Sequence, residues 1–165
     1  MLGKTHIINS LALASIPLAF ETKVDTEYIL ILLLIGLGSI LPDIDEPSSM
    51  IGRKMKFLSY PINIFFGHRT ITHNLVLFAI SGIFCYLNDY TFLLALNIGI
   101  LLHILQDSIT YQGITNGLFP FQRLNYNFVL LPRILRFKVG GLTEYLILIL
   151  SGIFLLIVLF IQLGI

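Results

Sequence analysis

Four histidines and three aspartates in this chain carry the residue types and spacings of a divalent-metal centre. His103 and Asp107 stand four apart after the apolar run 92–102. On a helix that spacing puts imidazole and carboxylate on one face, which makes half of a metal site. A simple helix-end hydrogen bond is the plainer alternative for that pair. The other candidates also sit at the ends of apolar runs: His6 before 7–20, Asp43 and Asp45 after 28–41, His68 and His73 before 75–87. The expected ligands are therefore His6, Asp43, Asp45, His68, His73, His103 and Asp107. Nitrogen and oxygen donors of this kind suit one or two ions, with Zn²⁺ the default and Mn²⁺ or Fe²⁺ the alternatives. An extended segment from Pro42 to Pro47 would aim Asp43 and Asp45 the same way; an Asx turn is the competing reading. Whichever aspartate is not a ligand is expected to orient or deprotonate a water. Arg69, between two candidate ligands, is expected either to hold a phosphate oxygen or to anchor at an interface. Thr70 or Thr72 is expected to cap the helix that follows. No Ser-His-Asp or Cys-His arrangement is evident. The single cysteine, Cys85, lies in an apolar run and supports neither an intrachain disulfide nor a thiolate metal site.

The elements that must position these groups follow from hydropathy. Hydrophobic residues make up 56% of the 165 positions and charged residues 12%, against roughly 25% in soluble domains. The expectation is one all-α, polytopic membrane domain over residues 1–165, with about five spans. The runs are 7–20, 28–41, 75–87, 92–102 and 145–163. The first run is expected as a retained span rather than a cleaved signal peptide, which keeps His6 in the protein. The first four runs are short against the ~20 residues usual for a span, but each lengthens when its polar, inward-facing end is included. Alternation through five spans puts Lys4, Arg53, Lys54, Lys56, Arg69, Arg123, Arg133, Arg136 and Lys138 on one side and only Lys23 on the other. That side is expected to be cytoplasmic, with the N-terminus there and the C-terminus outside. The same topology puts all seven candidate ligands at the cytoplasmic end. The basic residues are accounted for by topology and anionic headgroups, so no nucleic-acid partner is expected.

Thr5-His6, Leu41-Pro42-Asp43-Ile44-Asp45-Glu46-Pro47-Ser48, His68-Arg69-x-x-Thr72-His73 and His103-x-x-x-Asp107-x-x-Thr110-x-x-Gly113, with the later Leu118-Phe119-Pro120-Phe121, follow one another in this order. In that order they resemble the YdjM-like family of membrane-bound metal-dependent hydrolases, which is distantly similar to zinc-dependent phospholipases C and single-strand nucleases. The resemblance spans roughly residues 3–125 and implies hydrolase chemistry at a metal. Two departures matter. No histidine follows Asp107, which implies one or two ions rather than three, and Thr70-Ile71 stands where the family has Gly-Leu. The expected function is divalent-metal-dependent hydrolysis of a phosphoester, carried by a membrane lipid, at the cytoplasmic interface. Lys54, Lys56, Arg69 and Arg123 are expected to ring that site. The rivals are a non-enzymatic membrane protein with a structural metal and a proton or cation transporter. The charge asymmetry has a direct check: a reporter fused after Asn88 should read as external and one near Arg123 as cytoplasmic, and the reverse pattern overturns the orientation.

Overall fold

The computed structural model describes residues 1–20, 25–121 and 126–163. Among the described residues six α-helices run as α1 (Gly3–Ala14), α2 (Thr26–Gly38), α3 (Lys56–Phe66), α4 (Leu75–Leu87), α5 (Thr91–Ser108) and α6 (Leu142–Leu163). A 3-10 turn, Leu41–Asp45, extends α2, and a two-residue antiparallel ladder pairs β1 (Ile114–Thr115) with β2 (Asn127–Phe128). Among the described residues three helical stretches are long and apolar enough to cross a membrane: Thr26–Asp45, Thr91–Ser108 and Leu142–Gln162. Helices α1 and α4 have 12 and 13 residues. At 1.5 Å per residue each reaches only ~18–20 Å, against ~30 Å of hydrocarbon. By length, then, three of the five expected spans qualify. The segment 53–66, outside the five expected spans, contains α3.

Two helix starts follow capping chemistry. Asp25 accepts a hydrogen bond from the Tyr28 amide at 2.9 Å, and Asn74 does the same for the Leu77 amide at 2.9 Å. Asn74 thus displaces Thr70 and Thr72 from the expected capping role. Both threonines turn elsewhere: Thr70 donates to the Phe66 carbonyl at 2.6 Å, and Thr72 donates to Asp45.

The extended Pro42–Pro47 segment is also corrected. Pro42 sits at the start of a 3-10 turn, where its fixed φ and missing N–H are tolerated. At about three residues per turn, positions two apart no longer share a face. Asp43 and Asp45 therefore diverge, and they acquire different partners.

The bundle is centred on the crossing of α2 and α5, its most extensive helix contact. Gly38 and Gly99 make that crossing possible. A Cβ at Gly38 would run into the Leu96 carbonyl oxygen, and one at Gly99 into the Ile35 carbonyl oxygen. Helix α1 lies against α6, and their upper ends are tied where Glu144 accepts from the Leu2 amide at 2.5 Å and the Gly140 amide at 2.7 Å. Beneath the candidate site Ile100, Ile104 and Ile114 form the buried apolar cluster.

The crossing gives a stability test. Gly99→Ala should lower stability by about 1–3 kcal/mol, the usual cost of overpacking. Gly152→Ala, where a Cβ meets nothing within 4 Å, should be close to neutral. Thermal unfolding of the two detergent-solubilised variants checks this, and equal midpoints would contradict the close crossing.

Candidate metal centre

Every imidazole in the chain is held by its Nδ1. On α5, His103 Nδ1 lies 2.7 Å from the Ser39 carbonyl oxygen, an acceptor only, so this nitrogen carries the proton. That carbonyl is within reach because the glycine crossing brings the end of α2 against α5. On α1, His6 Nδ1 donates to Gln106 Oε1 at 3.1 Å, and Gln106 Nε2 donates onward to Ser10 Oγ at 2.8 Å. His73 Nδ1 faces Thr72 Oγ1 at 2.9 Å and Asp45 Oδ2 at 3.3 Å. His68 Nδ1 lies 2.7 Å from Asp45 Oδ1. With Nδ1 protonated, the lone pair of each ring sits on Nε2.

Three of those lone pairs meet. His73 Nε2 and His103 Nε2 are 3.1 Å apart, and the His6 and His103 rings stack at 3.7 Å between centroids. The carboxylates close in around them: Asp107 lies 3.3 Å from His6 Nε2 and 3.8 Å from His73 Nε2, and Asp43 lies 3.6 Å from His103 Nε2. Buried, converging lone pairs repel unless a cation or proton lies among them. The His6 Nε2 atom is buried and makes no hydrogen bond.

Two groupings each present three ligand atoms within 4.8 Å of one another: His6, Asp43 and His103, and His73, His103 and Asp107. These five residues come from the start of α1, the turn after α2, the turn before α4 and the end of α5. Asp45 and His68 lie outside both groupings. The oxygens of Asp45 are taken by His68, by the Arg69 amide at 2.9 Å, by Thr72 and by His73, while the side chain is fully buried. It fixes two imidazoles and the turn between them. Arg69 is buried and donates to the Gly113 carbonyl at 3.0 Å, while its other terminal nitrogen lies 2.7 Å from Asp107. The Met1 amino group also contacts Asp107.

Beside the cluster opens a cleft of about 470 Å³, whose polar lining includes Lys4, Asp43, Glu46, Arg53, His68 and Arg69. Of the expected basic ring, Arg69 is in this lining. Lys54 and Lys56 are not, and Arg53 and Lys4 take their place. Arg123 falls outside the described residues. Four supporting groups were not anticipated: Ser10, Ser39, Gln106 and Glu144. Two carry a legible signal, since Ser10 follows His6 by four residues and Gln106 follows His103 by three, on shared helix faces.

Burial by itself would lower the pKa of His68, but the hydrogen bond and negative charge of Asp45 outweigh it and hold His68 above its ordinary value. The stability this pair contributes is present below the unfolded-state pKa and is lost as pH rises through the raised folded-state value. In protein treated with chelator, Asp45→Asn should move the His68 NMR titration midpoint downward. An unchanged midpoint would contradict the pairing.

The chain is similar to known proteins along its whole length. The model of a family described as "YdjM inner membrane protein" matches residues 1–164. A Bacillus subtilis (strain 168) protein, YvsG, described as uncharacterized, is 35% identical over 152 residues, covering 90% of this chain and 88% of its own length. The inner membrane protein YdjM of Escherichia coli (strain K12) is 40% identical over 86 residues, and so is its Shigella flexneri counterpart. Those alignments cover 47% of this chain and 43% of each relative, so the chain spans less than half the length of either protein. No solved structure matches.

Proposed function

This chain belongs to the YdjM inner membrane protein family, and on that premise we propose a multi-pass, divalent-metal-dependent hydrolase of phosphoesters, with a membrane lipid as substrate and its site facing the cytoplasm. The observation that carries the reading is the convergence of three imidazole Nε2 atoms and two carboxylates beside a basic cleft. The donor set fits a metal. It is all nitrogen and oxygen, each histidine is oriented from behind by an oxygen acceptor, and a buried ligand atom lacks a hydrogen bond.

His73, His103 and Asp107 would hold the ion, with His6 Nε2 and Asp43 beside them. Both groupings contain His103, whose Nδ1 is committed to Ser39. One lone pair binds one ion, so the two groupings cannot both be filled through His103, and the simplest occupancy is a single ion, Zn²⁺ or alternatively Mn²⁺ or Fe²⁺. Bound there, the metal would lower the pKa of a water to ~7 and offset charge on a phosphoryl oxygen.

The remaining roles fall to the chain. Asp43, partly exposed and lining the cleft, orients the attacking water and accepts its proton. Asp45 positions His68 and His73. Lys4 and Arg53 draw the phosphate into the cleft, and Arg69 neutralises Asp107 while lining the same wall.

A structural metal is the second reading, favoured by the complete burial of His6, His73, His103 and Asp107. A transporter has less support. Among the described residues, the buried carboxylates and imidazoles gather at one end of the bundle, whereas the middle of α5 carries only the amide of Asn97.

Purified protein should hold one divalent ion per chain and release phosphate or a headgroup from one member of a panel of bilayer lipids and soluble phosphoesters. Chelation should abolish turnover, and Zn²⁺ or Mn²⁺ should restore it. His103→Ala should lose the ion, His6→Ala or His73→Ala should weaken it, and Asp89→Ala should retain it. Asp43→Asn should lower kcat by about 100-fold or more, the scale of general-base loss, with little change in KM. Folded, metal-loaded protein that cleaves nothing in the panel would leave the structural-metal reading in place.

A further inference from the structure

Helix α3 is two-faced. Ser59 is fully buried and Asn63 Nδ2 donates to the Asp45 carbonyl at 2.7 Å, so this side seats on the turn that bears the candidate site. The other side carries Phe57, Tyr60, Ile64 and Phe65 at helical spacing, with Phe57 73%, Ile64 75% and Phe65 79% exposed. Arg53, Lys54 and Lys56 stand at its N-terminal end. A second apolar tip repeats the chemistry: Ile134 is 90% exposed beside exposed Leu135, and Arg133 and Arg136 flank the pair. That loop is pinned to the end of α5, where the Leu130 amide donates to the Ser108 carbonyl at 2.9 Å and the Tyr111 amide to the Phe137 carbonyl at 3.1 Å. Helix α3 is pinned to the end of α2. Both surfaces therefore lie at the same end of two membrane-length helices.

We propose that α3 and the 130–136 loop form an in-plane collar that seats in the anionic leaflet at the site's end of the bundle. The occupant follows from charge and continuity. A helix with large exposed apolar residues on one side and basic residues at its end lies with that side about 5–10 Å into the headgroup–acyl boundary. Juxtamembrane Lys and Arg meet anionic headgroups there. The membrane crossed by α2 and α5 begins where the two surfaces are anchored, so no separate partner is needed to cover them. The collar also gives the buried carboxylate a fixed reference: through Asn63, Asp45 is tied to a helix seated on lipid. None of this depends on metal binding or turnover.

The chain has no tryptophan, so single tryptophans report cleanly. F65W, I134W and, as a reference in the exposed polar turn after α5, Q112W would be reconstituted as full-length protein in nanodiscs with and without anionic lipid. Lipid brominated near the top of the acyl chain should quench F65W and I134W strongly, and aqueous iodide should quench them weakly. Both emissions should shift to shorter wavelength relative to Q112W. Neutralising Arg53, Lys54 and Lys56 together should remove the dependence of the F65W emission on anionic lipid. F57W provides a second reporter on α3 if F65W does not fold. Strong iodide quenching without bromolipid quenching would place the face in water. Resistance to both quenchers would mean that protein, such as a second copy, covers it. Either result overturns the collar.

Discussion

The hydrogen bond from His103 Nδ1 to the Ser39 carbonyl is the contact on which the candidate site turns. It exists because two glycines let α2 and α5 touch backbone to backbone, bringing the carbonyls at the end of α2 against the face of α5. It also fixes the tautomer, and so decides which nitrogen of His103 faces His6, His73 and the aspartates. Local sequence, helix packing and ligand chemistry meet at that one bond. A residue with a side chain at either glycine would separate the helices and move the imidazole with them.

Charge burial at the end of the bundle is compensated locally. An ion taken out of water carries a penalty of several kcal/mol unless it is paired and hydrogen-bonded. Asp45 meets this with two imidazoles, an amide and a hydroxyl, Asp107 with a guanidinium and an amino group. Arg69 links the two, giving its amide to Asp45 and its side chain to Asp107. To do so its backbone takes φ 60°, in a region where a residue with a Cβ is uncommon. Such a conformation persists when its surroundings hold it. The neighbouring His68 and His73 are set by the same carboxylate, so the turn before α4 behaves as one hydrogen-bonded unit.

Much of the candidate site was legible in the sequence because its residues lie at the ends of apolar runs, and apolar runs become helices whose ends can be located. The helical spacing of His103 and Asp107 carried directly into the structure. What failed were readings that needed backbone detail. Pro42 opens a 3-10 turn, so alternation could not describe Asp43 and Asp45. Asn74, one residue beyond the His-x-x-x-x-His stretch, won the cap that threonine was expected to supply. Helix α3 was hidden because an internal proline, Pro61, and basic residues disguise a short amphipathic period. The supports from Ser39 and Glu144 come from elements distant in the chain, and composition holds no trace of such pairings. Span counting met the same limit: α4 is apolar enough to read as a span but, like the more polar α1, is too short to qualify by length.

The proposed centre is a single ion held by imidazole and carboxylate through Nε2 of His103. X-ray absorption at the zinc edge of zinc-loaded protein tests it most directly. The expected spectrum shows nitrogen and oxygen ligands at ~2.0–2.2 Å with the multiple-scattering signature of imidazole. Loss of that signature in the His103→Ala variant completes the expected result. Zinc–zinc scattering at ~3.5–4 Å, or an unchanged imidazole signature in that variant, would contradict it.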